Sequence, residues 1–144
     1  LRRQAGDHIT IQRETVVFDH SAPYRLDVER FEAYLRAAAA GGGAAHLRAA
    51  TELYAGDLLA GFAVRDAPAF EDWLAGERER LRRLALQALH ALAVYHSDRA
   101  EHLAASAVLG RLLALDPWRE DAHRQLMLVL AGSGQRDAAL AQYE

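Results

Sequence analysis

Histidines near one another are the residues of this chain that most invite a chemical role. Seven histidines are present, and His90, His96 and His102 follow one another close to Glu101. A helix offers two ligands to one metal ion when they lie three or four residues apart, but these histidines are six apart. We therefore expect no metal site. His96 is expected to be a partly buried packing histidine whose ring is hydrogen-bonded.

Paired carboxylates are the next candidates, because two carboxyl groups on one face could act as acid and base. The pairs Glu77 with Glu79 and Glu29 with Glu32 are interleaved with arginines. Glu79 also lies four residues before Arg83, the spacing of a helical ion pair. These patterns favour solvated, salt-bridged helix faces over a catalytic pair.

A run of arginines could contact phosphate groups. Its members are Arg78, Arg80, Arg82 and Arg83. Neighbouring glutamates neutralise them locally, and no aromatic residue lies close enough in sequence to stack on bases. The triple glycine at 41–43 lacks the Lys-Ser/Thr that completes a phosphate-binding loop. The sequence predicts no cofactor and no enzyme.

The elements that position these residues are organised by an internal repeat. From Leu86 to Glu144 the chain matches itself at a shift of 34 residues. Identical pairs are Ala88/Ala122, Leu92/Leu126, Ala104/Ala138, Ala105/Ala139 and Ala107/Ala141, and Leu109 meets Tyr143. This period is that of tetratricopeptide (TPR) units, helix–turn–helix pairs that stack on one another. Pro117 ends the first unit, since proline interrupts a helix.

Composition excludes several classes of protein. Hydrophobic residues make up 51% of the 144 residues, which argues against disorder. A net charge of −3 gives no electrostatic reason for nucleic-acid binding, and the lack of cysteine excludes disulfides and thiolate zinc sites. No apolar run is long enough to span a membrane. The chain begins without Met, so we expect a piece of a longer protein.

The first part of the chain differs from the repeat. Residues 8–12 and 15–18 are short β-branched runs joined by Arg13-Glu14, a pattern typical of a β-hairpin. Asp27 is expected to cap a first helix that stops at the triple glycine. These glycines could form an interdomain linker, but flanking short amphipathic helices favour a helix–helix connection. A second helix follows over about 44–54.

An apolar connection then leads into a long helix. Residues 56–62 contain few polar groups, so Leu58, Leu59 and Phe62 are expected to plug the core. Pro68 should open a helix of about 30 residues that merges into the first repeat unit. On that helix Trp73 is expected to be largely buried against the plug. The fold class is therefore all-α, a TPR-like antiparallel helical array with a short N-terminal β-hairpin.

Two stretches resemble a known family. Residues 53–62, with Phe70-Glu71-Asp72-Trp73-Leu74, and residues 112–120 are similar to the bacterial transcriptional activator domain of antibiotic-regulatory-type activators. The resemblance covers about Asp27 to Glu144. The structural signature that carries it consists of Gly56, Asp57, Leu58, Leu59, Phe62, Trp73 and Pro117.

The resemblance implies a division of the chain and a role. Residues 1–24 would be the wing or hairpin that ends a winged-helix DNA-binding domain, and residues 25–144 the TPR-like activator domain. DNA would then be bound only through a recognition helix upstream of Leu1. The implied partners are other copies of the protein, RNA polymerase or other domains of the full protein, in the cytoplasm and without a membrane.

A groove between stacked units is the expected interaction site. The repeat register lines it with His90, Ala91, Val94, Arg124, Gln125 and Leu128. A mixed apolar and basic groove suits a helix or an extended segment, although neighbouring helices of the same protein could fill it instead. The leading hypothesis is a regulatory interaction domain that couples DNA binding to oligomerisation or polymerase contact. A generic TPR scaffold of a larger signalling ATPase or regulator is the alternative.

Overall fold

The computed structural model describes residues 8–12, 15–19, 21, 23–64 and 66–142. Two strands come first, β1 (Ile9–Gln12) and β2 (Thr15–Phe18). The helices that follow are α1 (Asp27–Ala37), α2 (Gly43–Leu53), α3 (Pro68–Asp98), α4 (His102–Leu115), α5 (Glu120–Gly132) and α6 (Arg136–Ala141). The prediction of an all-α, TPR-like array with a short β element is confirmed.

The hairpin of β1 and β2 is antiparallel, with Ile9 opposite Phe18 and Gln12 opposite Thr15. The rings of His8 and Phe18 stack with their centroids 5.7 Å apart, and Tyr24 meets Phe18 edge-on at 5.1 Å. These rings join the hairpin to the segment before α1. The polar link Arg13-Glu14 and the repeat position Tyr143 lie outside the described residues.

A kinked segment over Ala38–Gly42 joins α1 to α2, so the triple glycine lies at a helix–helix connection, as predicted. Gly41 has a φ of 98°, a conformation that glycine adopts without strain. A Cβ atom on Gly42 would lie 2.6 Å from Nδ1 of His46, so this position needs glycine for close approach. The predicted cap was wrong by one residue. Leu26 is the N-cap, and Asp27 is the first helical residue. The Asp27 carboxylate accepts a hydrogen bond of 2.8 Å from the Val28 amide.

Helix α3 packs against both the helices before it and the helices after it. It runs for 31 residues from Pro68, roughly 46 Å, as predicted. Its first half packs on α1 and α2 through a core of Phe31, Ala50, Leu81 and Ala85. Its second half packs on α4 and α5 through Leu89 and Ala93, which join Ala105, Leu109, Leu112, Ala122, Leu126 and Val129. One helix therefore carries two hydrophobic cores.

The 34-residue repeat appears in the burial pattern. Ala88 and Ala122, Leu92 and Leu126, and Ala105 and Ala139 are all buried. Ala107 and Ala141, also related by the repeat, are both exposed. Positions related by the repeat are therefore buried or exposed alike in the two units, as stacked helix pairs require. No helix in the described ranges is long and apolar enough to cross a membrane.

Candidate functional site

An open apolar groove of about 570 Å³ lies between the α1–α2 hairpin and the second half of α3. Leu35, Ala38, Ala39, Gly43, Ala44 and Leu47 line it from the hairpin; Leu84, Gln87, Ala88, Ala91, Val94, Tyr95, Asp98 and Arg99 line it from α3. Alanine and glycine make up four of the six hairpin residues in this lining and two of the eight residues of α3. Because these side chains are short, they leave space that larger residues would fill. The groove is therefore a product of the alanine-rich sequence.

The polar end of the groove is formed at the C-terminus of α3. The guanidinium carbon of Arg99 lies 3.7 Å from the ring centroid of Tyr95, a cation–π contact. Asp98 lies beside this pair on the groove wall. One end thus offers both charges and an aromatic face, while the remaining walls are largely apolar. Such a surface suits an amphipathic segment.

The structure divides the six groove residues predicted from the sequence. Ala91 and Val94 line the groove. His90 and Gln125 instead lie in the seam between α3 and α5, where Nδ1 of His90 is 3.9 Å from an Asp121 oxygen and the Gln125 amide donates to Ser97 Oγ at 3.3 Å. Arg124 and Leu128 are exposed on α5. A binding role for these residues stays a prediction.

Sequence reasoning missed the wall that α1 and α2 supply. The repeat register begins at Leu86, so Leu35 and Leu47 of this wall, and Leu84 on α3, had no place in it. The signal that was available is the alanine-rich stretch at 37–45, which is too small to fill the space between two helices. A run of small residues on facing helices indicates a concave surface.

The signature loop 56–62 is anchored to α3 by its backbone. Nε of Arg78 donates to the Leu58 carbonyl and Nη2 to the Leu59 carbonyl, both at 2.7 Å. Leu58 is half-buried and packs on the core formed by Phe31 and Leu81. Burial raises the pKa of Tyr54 on the other side of this loop, and the Asp57 carboxylate 3.3 Å from its hydroxyl adds to the effect.

The prediction of a buried apolar plug against Trp73 was wrong. Trp73 is 53% exposed, Phe62 47% and Leu59 46%. The buried stripe of α3 passes through Leu74 and Leu81, and Trp73 points about 100° away from Leu74 around the helix. The loop is tied to α3 by hydrogen bonds from Arg78 to two of its carbonyl groups, and Leu59 and Phe62 keep about half of their surface exposed. Of the three plug residues, only Leu58 is half-buried.

We name the apolar side chains at this end of α3 the aromatic patch and define it as the exposed Leu59, Phe62, Val64 and Trp73 together with the half-buried Phe70. The Phe62 and Phe70 centroids are 6.0 Å apart, and those of Phe70 and Trp73 are 5.6 Å apart. The Val64 amide donates to Glu71 at 3.0 Å, which ties the end of the loop to α3. The aromatic patch is thus an ordered feature.

Comparison with known protein families identifies the family of this chain. The family model described as the bacterial transcriptional activator domain matches residues 26–144. The chain belongs to this family. No curated protein matches the chain.

Membership makes the chain a regulatory domain of the transcriptional-activator type. It confirms the resemblance carried by the loop 53–62 with Trp73 and by the Asp116-Pro117-Trp118 stretch. The division at residue 24 into a winged-helix remnant and a TPR-like domain stays a prediction.

The arginines of this activator domain hold its helices and loops together. Arg80 pairs with Glu32 at 2.7 Å and with Glu77 at 2.8 Å, and hydrogen bonds to both carboxylates raise its pKa above the ordinary value. Arg82 donates to the Leu115 carbonyl on α4. With Arg78 on the loop, three of the four clustered arginines have internal partners. The cluster is therefore a set of structural ties, and Arg83 is the exposed member of the four.

The histidines of the activator domain diverge into separate contacts. His96 is buried, and its Nδ1–H donates to Glu101, 2.5 Å away, which confirms the expectation of a satisfied packing histidine. The His90 ring faces Asp121, and the His102 ring lies against Gly132. Within the described ranges no three His, Cys, Asp or Glu residues are grouped to hold a metal ion.

Proposed function

We propose that this chain is the regulatory protein-interaction domain of a bacterial transcriptional activator. In this proposal it couples DNA binding by an upstream winged helix to oligomerisation or to contact with RNA polymerase in the cytoplasm. The observation that carries the proposal is the open apolar groove between the α1–α2 hairpin and α3, in a domain of the activator family.

The groove offers enough apolar surface for an interaction. Leu35, Leu47 and Leu84 are half-buried on its walls, and Val94 is 38% exposed. Completing the burial of one such side chain contributes up to about 1.5 kcal/mol, since full burial of a large aliphatic side chain is worth about 1.5–3 kcal/mol. A segment that covers several of them would gain several kcal/mol before the cost of ordering is subtracted.

DNA readout is proposed to come from outside this chain. The hairpin of β1 and β2 precedes α1, in the position that the end of a winged helix would take. Base edges are read by a recognition helix in the major groove, and a wing alone contacts mainly the backbone or minor groove. With a net charge of −3, the chain has little general attraction for DNA.

The test tethers the chain to a heterologous DNA-binding domain upstream of a reporter promoter in bacteria, and sedimentation velocity measures self-association of the isolated chain. We expect activation above the tether alone, self-association, or both. Ala91→Arg places a long cation in the groove and should abolish the effect that is observed. Ala107→Arg is the matched control, because Ala107 is an exposed helical alanine outside the groove.

Two results would contradict the proposal. One is an absence of both activation and self-association in the parent chain. The other is equal loss with Ala91→Arg and Ala107→Arg, because a general effect of the added charge would then explain the data. Either result would favour a generic helical scaffold without a role in activation.

A further inference from the structure

The aromatic patch is a second surface, separate from the groove. It lies at the N-terminal end of α3, whereas the groove begins at Leu84. Trp73 and Leu84 are eleven residues apart, roughly 16 Å along the helix axis. The side chains of Leu59, Phe62 and Trp73 are about half exposed, although aromatic groups gain most from burial.

The loop that presents the patch is held in place rather than left loose. Arg78 binds two successive carbonyl groups of the loop, and Glu71 binds the Val64 amide. Leu59 and Asp66 have φ values of 50° and 57°, a region that non-glycine residues seldom adopt. Backbone of this kind persists when surrounding contacts fix it, and it clusters at binding surfaces. The patch is therefore prearranged, which lowers the entropic cost of binding.

The spacing of the rings indicates the shape of the partner. Phe62, Phe70 and Trp73 are spaced at 6.0 and 5.6 Å. Side chains one turn apart on an α-helix are separated by about 5.4 Å along the axis, and alternate residues of a strand by about 6.7 Å. The observed spacing is closer to the helical one. A helix with apolar residues at i, i+4 and i+7 has an apolar stripe about 10.5 Å long, which matches a row of three contacting rings at most about 12 Å long.

The rim of the patch is acidic. Residues 57–77 contain Asp57, Asp66, Glu71, Asp72 and Glu77 against one basic residue, Arg65, so this stretch has a net charge of 1 − 5 = −4. Glu71 and Glu77 are bound to Val64 and Arg80. Asp57, Asp66 and Asp72 are exposed and are neighbours of patch residues in sequence, and Asp57 also accepts a hydrogen bond from the Tyr54 hydroxyl. Complementary charge therefore requires lysine or arginine on the partner.

We propose that the aromatic patch is the docking surface for an amphipathic helix of another protein, whose apolar stripe is flanked by lysine or arginine. A symmetric contact with a second copy would bring two acidic patches together, so charge disfavours it. This surface goes beyond the proposed function, because it shares no residue with the groove and its role does not depend on transcription.

The experiment uses two synthetic helical peptides and the 144-residue chain. One peptide carries leucine at i, i+4 and i+7 with flanking arginines, and the other has glutamate in place of every arginine. The chain carries Trp118→Phe, so that Trp73 is its only tryptophan. Binding is followed by peptide anisotropy and by Trp73 fluorescence. We expect the basic peptide to bind at least about tenfold more tightly than the acidic one, with an affinity that falls as salt rises.

Variants then locate the contact by anisotropy. Trp73→Ala should weaken binding of the basic peptide about tenfold or more, as truncation of an interfacial tryptophan does. Trp118→Ala in the parent chain is the matched control, since Trp118 is 90% exposed but lies between α4 and α5. Asp72→Lys leaves the aromatic groups intact and should weaken the basic peptide while strengthening the acidic one. Circular dichroism checks that each variant is folded.

Three outcomes would overturn the proposal. They are equal affinity for the two peptides, equal loss with Trp73→Ala and Trp118→Ala, and self-association of the parent chain that Trp73→Ala abolishes. The last would identify a second copy as the occupant. Failure here together with activation sensitive to Ala91→Arg would leave the proposed function standing, so the two failures are distinguishable.

Discussion

Ala105 of α4 lies in the core that α4 shares with α3, and enlarging it tests the repeat packing directly. Ala105 is buried with no exposed surface, inside the core that joins Leu89, Leu109 and Ala122. Ala105→Leu adds three heavy atoms to a filled site. Overpacking a core in this way costs about 1–3 kcal/mol, because neighbouring side chains must leave their preferred rotamers or the helices must separate.

Ala107→Leu is the matched control. Ala107 lies two residues further along α4 and is exposed, so the same substitution there changes helix propensity equally but fills no core. Exposed substitutions of this kind usually change stability by less than about 0.5 kcal/mol. For a chain of this size each kcal/mol corresponds to about 3–4 °C in Tm. Ala105→Leu should therefore lower Tm by roughly 3–12 °C relative to Ala107→Leu.

The assay is urea unfolding followed by circular dichroism, with thermal unfolding as a second measure. The expected result is a lower midpoint for Ala105→Leu with an unchanged slope, which identifies a change in stability. If the two variants unfold at the same urea concentration, Ala105 does not lie at a helix crossing. The register of 34 residues would then be wrong as a description of packing.

Three further predictions concern the loop, one ion pair and DNA. Arg78→Met should lower the free energy of unfolding by about 1–3 kcal/mol, because it removes two charge-assisted hydrogen bonds to partly exposed carbonyl groups. The control Arg83→Met changes an exposed arginine and should lower it by less than about 0.5 kcal/mol. Equal urea midpoints for the two variants would contradict this prediction. The Arg119 side chain holds the pKa of Asp121 below its usual value. Arg119→Ala should therefore raise that pKa in a carboxyl NMR titration, and the control Arg136→Ala should not. The stabilisation that this ion pair gives the folded state is present above the unfolded-state pKa of Asp121 and is lost as pH falls through its folded-state pKa. The chain alone should show no sequence-selective duplex binding in titrations at about 50 and 200 mM salt; selectivity that survives the higher salt would place the DNA reader within these residues.

Local sequence signals predicted the helices and the repeat well. Pro68 fixed the start of α3, and the uninterrupted helical period after it predicted a helix of the observed length. Identical residues at a shift of 34 marked positions that are buried in both units, such as Ala105 and Ala139. These features depend on propensity and periodicity, which a single sequence displays.

The errors concern contacts between distant parts of the chain. Burial of Trp73 depended on whether the loop covers that face of α3, and the answer lies in where the Arg78 side chain donates. In the sequence Arg78 is one of several neighbouring arginines, so neither its type nor its position predicted hydrogen bonds to the loop carbonyl groups. The groove wall from Leu35 and Leu47 was missed because α1 and α2 lie outside the repeat, and their packing on α3 is a tertiary contact.

The most direct test of the account is photo-crosslinking from the groove in cells. A photoreactive phenylalanine replaces Val94 in the full activator, and the control carries the same group at Leu103, which is 80% exposed on α4 outside the groove. The account predicts that the group at position 94 links to RNA polymerase or to a second copy of the activator, whereas the group at position 103 does not. Crosslinks to neither partner from position 94, or equal yields from both positions, would contradict the proposal that this groove is the interaction site.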